Sequence, residues 1–448
     1  MEELSTSLPN INNCKIAVLG LGYVGLPLAI EFCRQGNCLI SGKQLSRFVI
    51  AFDINETRIE NLRNKYDYTN QFSKDELHNL NNILFTSDKK YLMDADAYII
   101  TVPTPIDEYN NPDLTALKEA SILVGKSLPQ RKNEKKPVII YESTVYPGAT
   151  EETCIPILSK YSSLIYNKDF FCGYSPERIN PGDKEHTLTN IVKVTSGSDH
   201  KSAEWIDNLY GSIISAGTHR VDSIKIAEAA KIIENTQRDI NIALMNELSI
   251  ICKLLEIDTL DVISAASTKW NFLPFKPGLV GGHCIGVDPH YLKYKSKQLG
   301  YSPLIVNAGR KINDDVSTRI VDNIILYLVQ NSLIKKDLKI LILGITFKED
   351  CPDTRNSKVF NIINRLLKFP FDLTVVDPYI TDENASQLNI KCSKNINFDE
   401  TYDTALLLVA HKEFKKLNLN DWQEIVTKEG LLFDLKGIIP RELNPLRI

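Results

Sequence analysis

The feature that most constrains the fold is Gly20-Leu21-Gly22-Tyr23-Val24-Gly25, which follows the apolar run Lys15–Leu19 without a gap and leads into an apolar stretch from Leu26. A strand, a glycine turn and a helix in that order open a dinucleotide-binding α/β unit. The glycines permit a tight turn, close approach of a pyrophosphate, and close packing of helix on strand. The helix N-terminus supplies amide donors and the positive end of its dipole to the phosphates. Gly20, Gly22 and Gly25 are therefore candidate cofactor contacts.

Such a turn expects an acid at the end of the next strand, where it accepts from a ribose hydroxyl. Asp53 ends the run Phe48–Phe52, 28 residues past Gly25 rather than the usual distance of about 20. The excess falls in 36–47, which contains Ser41, Gly42 and Ser46 and reads as a loop insertion. An acid at that place repels a 2′-phosphate and so favours NAD over NADP. Thr104 and Thr144 follow two later apolar runs. Ligands of open α/β sheets sit at the carboxyl ends of strands, so both threonines are candidates to line the nicotinamide half.

The runs Ile83–Thr86, Ala97–Val102, Val138–Tyr141 and Ile191–Thr195 continue the alternation of strand and helix. Val, Ile and Leu without polar alternation suit a parallel sheet covered on both faces. From Asp222 to Leu255 the period changes: Ile226, Ala229, Ala230, Ile233, Ile240, Ala243, Leu244 and Leu248 recur at three- and four-residue steps without Gly or Pro. One long helix is expected, at a homodimer interface; burial inside one monomer stays open as the alternative. Strand and helix then alternate again through Leu338–Leu343, Leu373–Val376, Ala405–Val409 and Leu431–Phe433. The turn after Leu343 has one glycine, Gly344, and a lysine, Lys348, so it should not hold a dinucleotide pyrophosphate. The expected architecture is α/β, with two Rossmann-like doubly wound parallel-sheet domains joined by a long central helix. The boundaries expected are 1–218 for NAD, 219–332 for a helical dimerisation and catalytic domain, and 333–448 for the substrate.

A formal charge of −4 offers no nucleic-acid surface, and the basic stretch at 131–136 is short and interrupted by Glu134. No apolar run approaches the ~20 residues of a membrane span. The nine cysteines are odd in number and form no Cys-x-x-Cys pair, which indicates neither a disulfide framework nor a zinc ribbon. His283, Cys284, Asp288 and His290 do not complete a tetrahedral metal set, so no metal is expected. Residues 1–13 are polar and lack the profile of a secretory signal. Together these features predict a cytoplasmic protein.

Cys284 lies in the loop Gly281-Gly282-His283-Cys284-Ile285-Gly286-Val287-Asp288-Pro289. A nicotinamide site alone suggests two-electron alcohol chemistry, and a thiol that holds an aldehyde covalently suggests oxidation on to the acid. Further segments stand out: Ser175-Pro176-Glu177-Arg178-Ile179-Asn180-Pro181-Gly182, Lys231–Glu247, and Phe347-Lys348-Glu349-Asp350 followed by Asp353-Thr354-Arg355. With Gly20–Pro27 and Gly281–Pro289, these span nearly the whole chain. The chain resembles the UDP-sugar 6-dehydrogenases (nucleotide-sugar dehydrogenases), in the branch acting on UDP-N-acetylhexosamines.

The resemblance implies two successive NAD-dependent oxidations at C6 of the sugar of a UDP-sugar, for surface polysaccharide synthesis. Cys284 would add to the aldehyde, giving a thiohemiacetal whose oxidation gives a thioester, and water would release the uronate. Lys231 and Asn235, four positions apart and so on one helix face, match the family's catalytic lysine and amide, suited to stabilising an oxyanion. Asp288 matches a carboxylate that orients or activates water, and Glu177 an acid near the reacting carbon. Tyr23, Val24 and Arg58 are implied at NAD, and Arg355 is implied to reach it from the last domain. Arg178, Gly281 and Lys348 are implied at the substrate, together with Glu177, Lys231 and Asn235. His283 fits the hexosamine branch, whereas His290 stands where an aromatic residue is usual. UDP-GlcNAc is the favoured sugar, with UDP-GalNAc and UDP-glucose as alternatives; a non-catalytic nucleotide-sugar-binding regulator is the rival of another class.

Overall fold

The computed structural model describes residues 7–69, 71–179, 187–282, 285–380, 385–386 and 390–448. His283, Cys284 and the Asn180-Pro181-Gly182 end of the Ser-Pro-Glu-Arg motif lie outside the described residues. The chain forms two compact units, residues 1–234 with 290–299, and residues 235–289 with 300–448.

The first unit opens with β1 (Lys15–Leu19), α1 (Gly25–Cys33), β2 (Gly36–Asn37), β3 (Gln44–Leu45), β4 (Phe48–Phe52), α2 (Glu56–Arg63), α3 (Lys74–His78) and β5 (Ile83–Thr86). It continues through β6 (Ala97–Ile100), α4 (Thr115–Ser127), β7 (Val138–Tyr141), α5 (Ile155–Ser162), β8 (Phe171–Tyr174), β9 (Lys193–Gly197), α6 (His200–Gly211) and β10 (Thr218–Arg220). The sheet runs β10-β9-β8-β7-β6-β1-β4-β5. All pairs are parallel except β8 with β9, so an antiparallel step interrupts the parallel sheet that the apolar runs predict. Val, Ile and Leu fill β1, β4, β6 and β7 because both faces are covered; almost every residue of these strands is buried. Each such side chain removed from water contributes about 1.5–3 kcal/mol. β1 lies between β4 and β6, so the strand order reverses direction there and a ligand crevice opens at its carboxyl end. The segment 36–47, expected as a loop, is instead a two-residue antiparallel hairpin of β2 and β3. Pairs this short leave no alternating pattern in the sequence.

α7 (Ile224–Leu254) is a single helix of 31 residues. Its apolar stripe and its buried side coincide only in part, since Ala243 is buried with Ile232 and Met245. Ile226, Ile233 and Leu244 are 47%, 56% and 48% exposed, whereas Glu228, Lys231, Asn235, Thr236, Asp239, Asn246 and Ser249 are buried. Several of these buried polar groups are held by hydrogen bonds. In the second unit, Asp239 takes Arg310 Nη1 at 2.7 Å and Asn313 Nδ2 at 2.7 Å, and Asn246 Nδ2 donates to Asn313 Oδ1 at 2.8 Å. Both partners come from α10 (Leu304–Gln330). The shorter α8 (Thr259–Ala266) and α9 (Asp288–Gln298) lie between α7 and α10 in the chain.

The second unit's sheet is wholly parallel, in the order β13-β12-β11-β14-β15. Its strands are β11 (Leu338–Leu343), β12 (Phe371–Val376), β13 (Lys391–Ser393), β14 (Tyr402–Leu407) and β15 (Val426–Asp434). α11 (Val359–Leu366) packs its Val359, Ile362, Ile363 and Leu366 into one core layer. Trp422 of α12 (Leu419–Ile425) fills the other.

Candidate active site

The turn after β1 shows which glycines the fold itself needs. Gly20 has φ +94°, a left-handed value open to glycine. A Cβ on Gly25 would lie 1.8 Å from Gly20 O and 2.4 Å from Thr101 Oγ1. A Cβ on Gly22 would meet nothing within 4 Å, so packing within the chain does not account for that glycine. Such open space is what close approach of a phosphate requires. Val24, the N-cap of α1, makes no side-chain cap hydrogen bond, and Leu26 N closes on Gly22 O at 3.2 Å, so the end of the helix presents backbone groups rather than a capping side chain. Asp53 stands at the end of β4, half-buried, accepting Leu21 N at 2.7 Å and Asn55 N at 2.9 Å. The turn thus fits a dinucleotide, with the acid where the ribose belongs.

Arg58 is buried in α2, donating Nε to Leu21 O at 2.9 Å, pairing with Asp67 at 2.9 Å and stacking over Tyr68. It holds the turn from behind. Thr104 donates Oγ1 to Thr144 O at 2.6 Å, and Tyr291 donates its hydroxyl to Thr104 O at 2.7 Å. The two threonine segments are therefore fastened to each other at the carboxyl ends of β6 and β7.

Glu177 follows β8 and is buried. Its Oε1 accepts the amides of Arg178 at 2.6 Å and Ile179 at 2.5 Å, and its Oε2 lies 3.5 Å from Lys193 Nζ. Lys193 is also 2.7 Å from Glu142 Oε2, and Tyr210 donates its hydroxyl to Glu142 Oε1. Burial pushes the Glu142 carboxyl up, opposed by Lys193 and reinforced by Glu177. Burial lowers Lys193, but the two carboxylates outweigh it and hold the ammonium above its ordinary value. Arg178 turns away to pair with Glu234 at 2.8 Å.

In the second unit, Asn235 Nδ2 donates to Asp288 Oδ2 at 2.6 Å, and both side chains are buried. Asp288 starts α9, four residues after Cys284, so it fixes one end of the cysteine loop to α7. Lys231 is buried one turn before Asn235 on the same helix. At the other end of the loop, a Cβ on Gly281 would meet Asn356 O at 2.7 Å, and one on Gly282 the Phe347 ring at 2.8 Å. Asn356 Nδ2 also donates to Gly282 O at 3.3 Å. The loop that carries Phe347 and the half-buried Lys348 therefore packs directly on Gly281 and Gly282. Arg355 is about half exposed and forked onto Asp353 at 2.7 Å within its own loop.

The turn after β11 repeats the hydrogen bonds of the first unit with a different outcome. Asp377, at the end of β12, accepts Ile345 N at 2.7 Å and Tyr379 N at 2.8 Å, as Asp53 accepts Leu21 and Asn55. Here the carboxylate is fully buried and taken by His411 Nε2 at 3.1 Å. His411 Nδ1 accepts Asp350 N at 3.0 Å, which places the neutral ring's hydrogen on Nε2. Burial raises the Asp377 carboxyl, but His411 and the two amides outweigh it and hold it below the usual range. This acid is buried and engaged within the fold, whereas Asp53 is half-buried.

Family models match the chain in three consecutive parts: the NAD binding domain of the UDP-glucose/GDP-mannose dehydrogenase family over residues 14–214, its central domain over 225–315, and its UDP binding domain over 341–441. The chain belongs to the UDP-glucose/GDP-mannose dehydrogenase family. It is an NAD-dependent UDP-sugar dehydrogenase, with the cofactor held by the domain that contains the Gly20–Gly25 turn. The chain is 48% identical over 438 residues to the UDP-N-acetyl-D-glucosamine 6-dehydrogenase of Pseudomonas aeruginosa, covering 98% of this chain and 100% of that one. It is 49% identical over 436 residues to the protein CapL of Staphylococcus aureus, covering 96% and 98%. Among solved structures, the UDP-D-ManNAc dehydrogenase of Pyrococcus horikoshii matches with a TM-score of 0.81 at 26% identity, covering 95% and 96%.

Glu142, Lys193 and Tyr210 went unnoticed in the sequence, although one signal was there. Lys193 interrupts the apolar run Ile191-Val192-Lys193-Val194, and a lysine in a covered strand needs a buried partner. Asp377 also had its counterpart in Asp53, an acid closing an apolar run. His411 carried no comparable mark.

Proposed function

We propose that this enzyme oxidises C6 of a UDP-N-acetylhexosamine, UDP-GlcNAc in the favoured case, through the aldehyde to the uronate. The observation that carries the reading is the buried Asn235–Asp288 hydrogen bond, which anchors the cysteine loop to the helix bearing Lys231. When bound, NAD accepts a hydride from C6, and two molecules of NAD serve the two oxidations in turn. In the first, the C6 hydroxyl loses its proton and C6 its hydride, leaving an aldehyde. The Cys284 thiolate then adds to the carbonyl carbon, and Lys231 and Asn235 stabilise the oxyanion. Loss of a second hydride from that carbon leaves a thioester. Water, oriented by Asp288 with Glu177 as base, adds to the thioester, and the thiolate leaves as the carboxylate forms.

Lys348 serves the diphosphate, and Gly281 and Arg178 line the sugar side. Tyr23, Val24 and Thr144 serve NAD with the glycine turn, and Arg355 exchanges Asp353 for the cofactor when it engages. The exposed side of α7 supports assembly as a homodimer. Among the described residues no helix is long and apolar enough to cross a membrane, and the eight described cysteines are free thiols, in keeping with a reduced cytoplasm. The substrate reading also draws on the names of the relatives from P. aeruginosa and S. typhi, both UDP-N-acetyl-D-glucosamine 6-dehydrogenases. A surface polysaccharide is the expected destination of the uronate.

A panel of UDP-sugars followed at 340 nm tests the reading, with UDP-GlcNAc expected to release two NADH per sugar. Activity confined to UDP-glucose refutes the substrate. Cys284→Ser is expected to bind NAD normally and form no uronate; full four-electron turnover in that variant removes the covalent step.

A further inference from the structure

Four polar side chains meet under the Glu177 loop, and the reaction described above uses one of them. Lys193 projects from β9 and is buried with its ammonium shared between Glu142 Oε2 at 2.7 Å, Pro176 O at 3.1 Å and Glu177 Oε2 at 3.5 Å. Tyr210 of α6 donates to the other oxygen of Glu142 and lies under the ammonium, its ring centroid 5.3 Å from Nζ. Glu142 follows β7 directly and is itself buried. On Glu177's own loop, Arg178 directs its charge to Glu234. One cation thus serves two buried carboxylates, and the nearer one is not the carboxylate assigned to the chemistry.

We infer that Lys193 and Glu142 are positioning residues that set the charge balance around Glu177: Lys193 offers it a counter-ion, and Glu142 draws part of that ammonium away. The inference rests on the reading of Glu177 as the base for thioester hydrolysis. The physical reason is competition. An opposite charge within 4–6 Å favours the ionised carboxylate, and a like charge beside it opposes ionisation. Glu142 sits closer to the ammonium and is braced by Tyr210, so Glu177 receives only the part of the field that Glu142 leaves. Such an arrangement also explains why a lysine is buried at all in a strand of Val, Thr and Ser.

The arrangement predicts pH shifts of opposite sign from two substitutions on the same cluster, which a merely structural role does not produce. The readout is the rate of uronate release after the two NADH have formed, by quenched single turnover across pH, with the UDP-sugar that the panel identifies. Lys193→Gln removes the cation, and the acid limb of that profile is expected to move up by about one unit or more. Glu142→Gln keeps the shape and acceptor but removes the competing charge, and the limb is expected to move down. Lys193→Arg is expected to leave the limb within about half a unit, since the charge remains. NADH formation in the first oxidation reports that each variant is folded, and Glu142→Gln, the least disruptive, stands even if Lys193→Gln does not fold. Limbs that stay in place, or move the same way in both variants, overturn the inference. Glu177→Gln separates the two levels of the argument: if it leaves the limb unchanged, the assignment of Glu177 as base fails, whereas a limb lost in Glu177→Gln but unmoved by Glu142→Gln refutes only the roles of Lys193 and Glu142.

Discussion

A Cβ at Gly25 would sit 1.8 Å from a backbone oxygen, and one at Gly22 would touch nothing, although both belong to one fingerprint. The two positions therefore separate folding from binding. Gly25→Ala must push apart β1 and α1, an overpacking cost of about 1–3 kcal/mol or more. Gly22→Ala leaves the chain's own packing intact, and its melting temperature is expected within about 2 °C of the parent. With Gly22 assigned to the pyrophosphate, the added methyl group is expected to obstruct it, and NAD affinity should fall at least about tenfold, close to 1.4 kcal/mol. Calorimetric titration and thermal melts check both, and equal destabilisation by the two alanines would contradict the assignment of Gly22 to the ligand. At this scale the sequence was informative wherever chemistry is local. The turn and Asp53 were legible because spacing along the chain fixes them. The Glu142–Lys193–Tyr210 cluster was not, because its members lie 51 and 68 residues apart and meet only when β7, β9 and α6 pack together.

Helices and strands show the same division between pattern and placement. Parallel strands were legible as uninterrupted Val, Ile and Leu, since both of their faces must be apolar. For α7 the period gave the helix but not the side it buries: Asp239 and Asn246 turn inward, where Arg310 and Asn313 meet them, beside buried Ile232, Ala243 and Met245, while Ile226, Ile233 and Leu244 lie exposed. Glu228 is the member of this buried polar side with a consequence for stability. Its carboxyl accepts Gly148 N at 2.5 Å and Thr150 N at 2.9 Å, holding the π-helical turn 150–154 that leads into α5. Burial pushes its pKa up to about 7 from an ordinary 4.5, against the pull of those amides. Between these two values the folded chain keeps a proton that the unfolded chain has released. Stability from this group is therefore full below about pH 4.5 and falls as pH rises through 7, by about 3 kcal/mol in all. Glu228→Gln loses one acceptor at a fixed cost of about 1–3 kcal/mol, but does not titrate. Melting measured from pH 5 to 8 should thus decline more steeply for the parent than for Glu228→Gln. Parallel curves would show that Glu228 remains ionised throughout.

At the scale of the whole molecule, the exposed side of α7 is the feature a single chain leaves unexplained. Ile226, Ile233, Leu244 and Ile251 are all exposed, and at 3.6 residues per turn they fall within about 40° of arc on one helix. Monomeric proteins seldom leave such a row open to water, and rows of this kind mark association surfaces. The period of this stripe is legible in the sequence, but not whether it meets a partner or the chain's own core; in the single chain Ile226, Ile233 and Leu244 are exposed. A second copy is the partner best matched to an apolar row on a helix, since a two-fold axis lets the same row serve both sides. Ile233→Glu tests this with little risk to the fold, because an exposed side chain more than half open to solvent costs at most about 0.5 kcal/mol to replace. Sedimentation velocity should find a dimer for the parent and a monomer for Ile233→Glu, with unchanged far-ultraviolet dichroism and retained NAD binding. A parent that sediments as a monomer, or a variant that remains dimeric, would show that this row is not the interface.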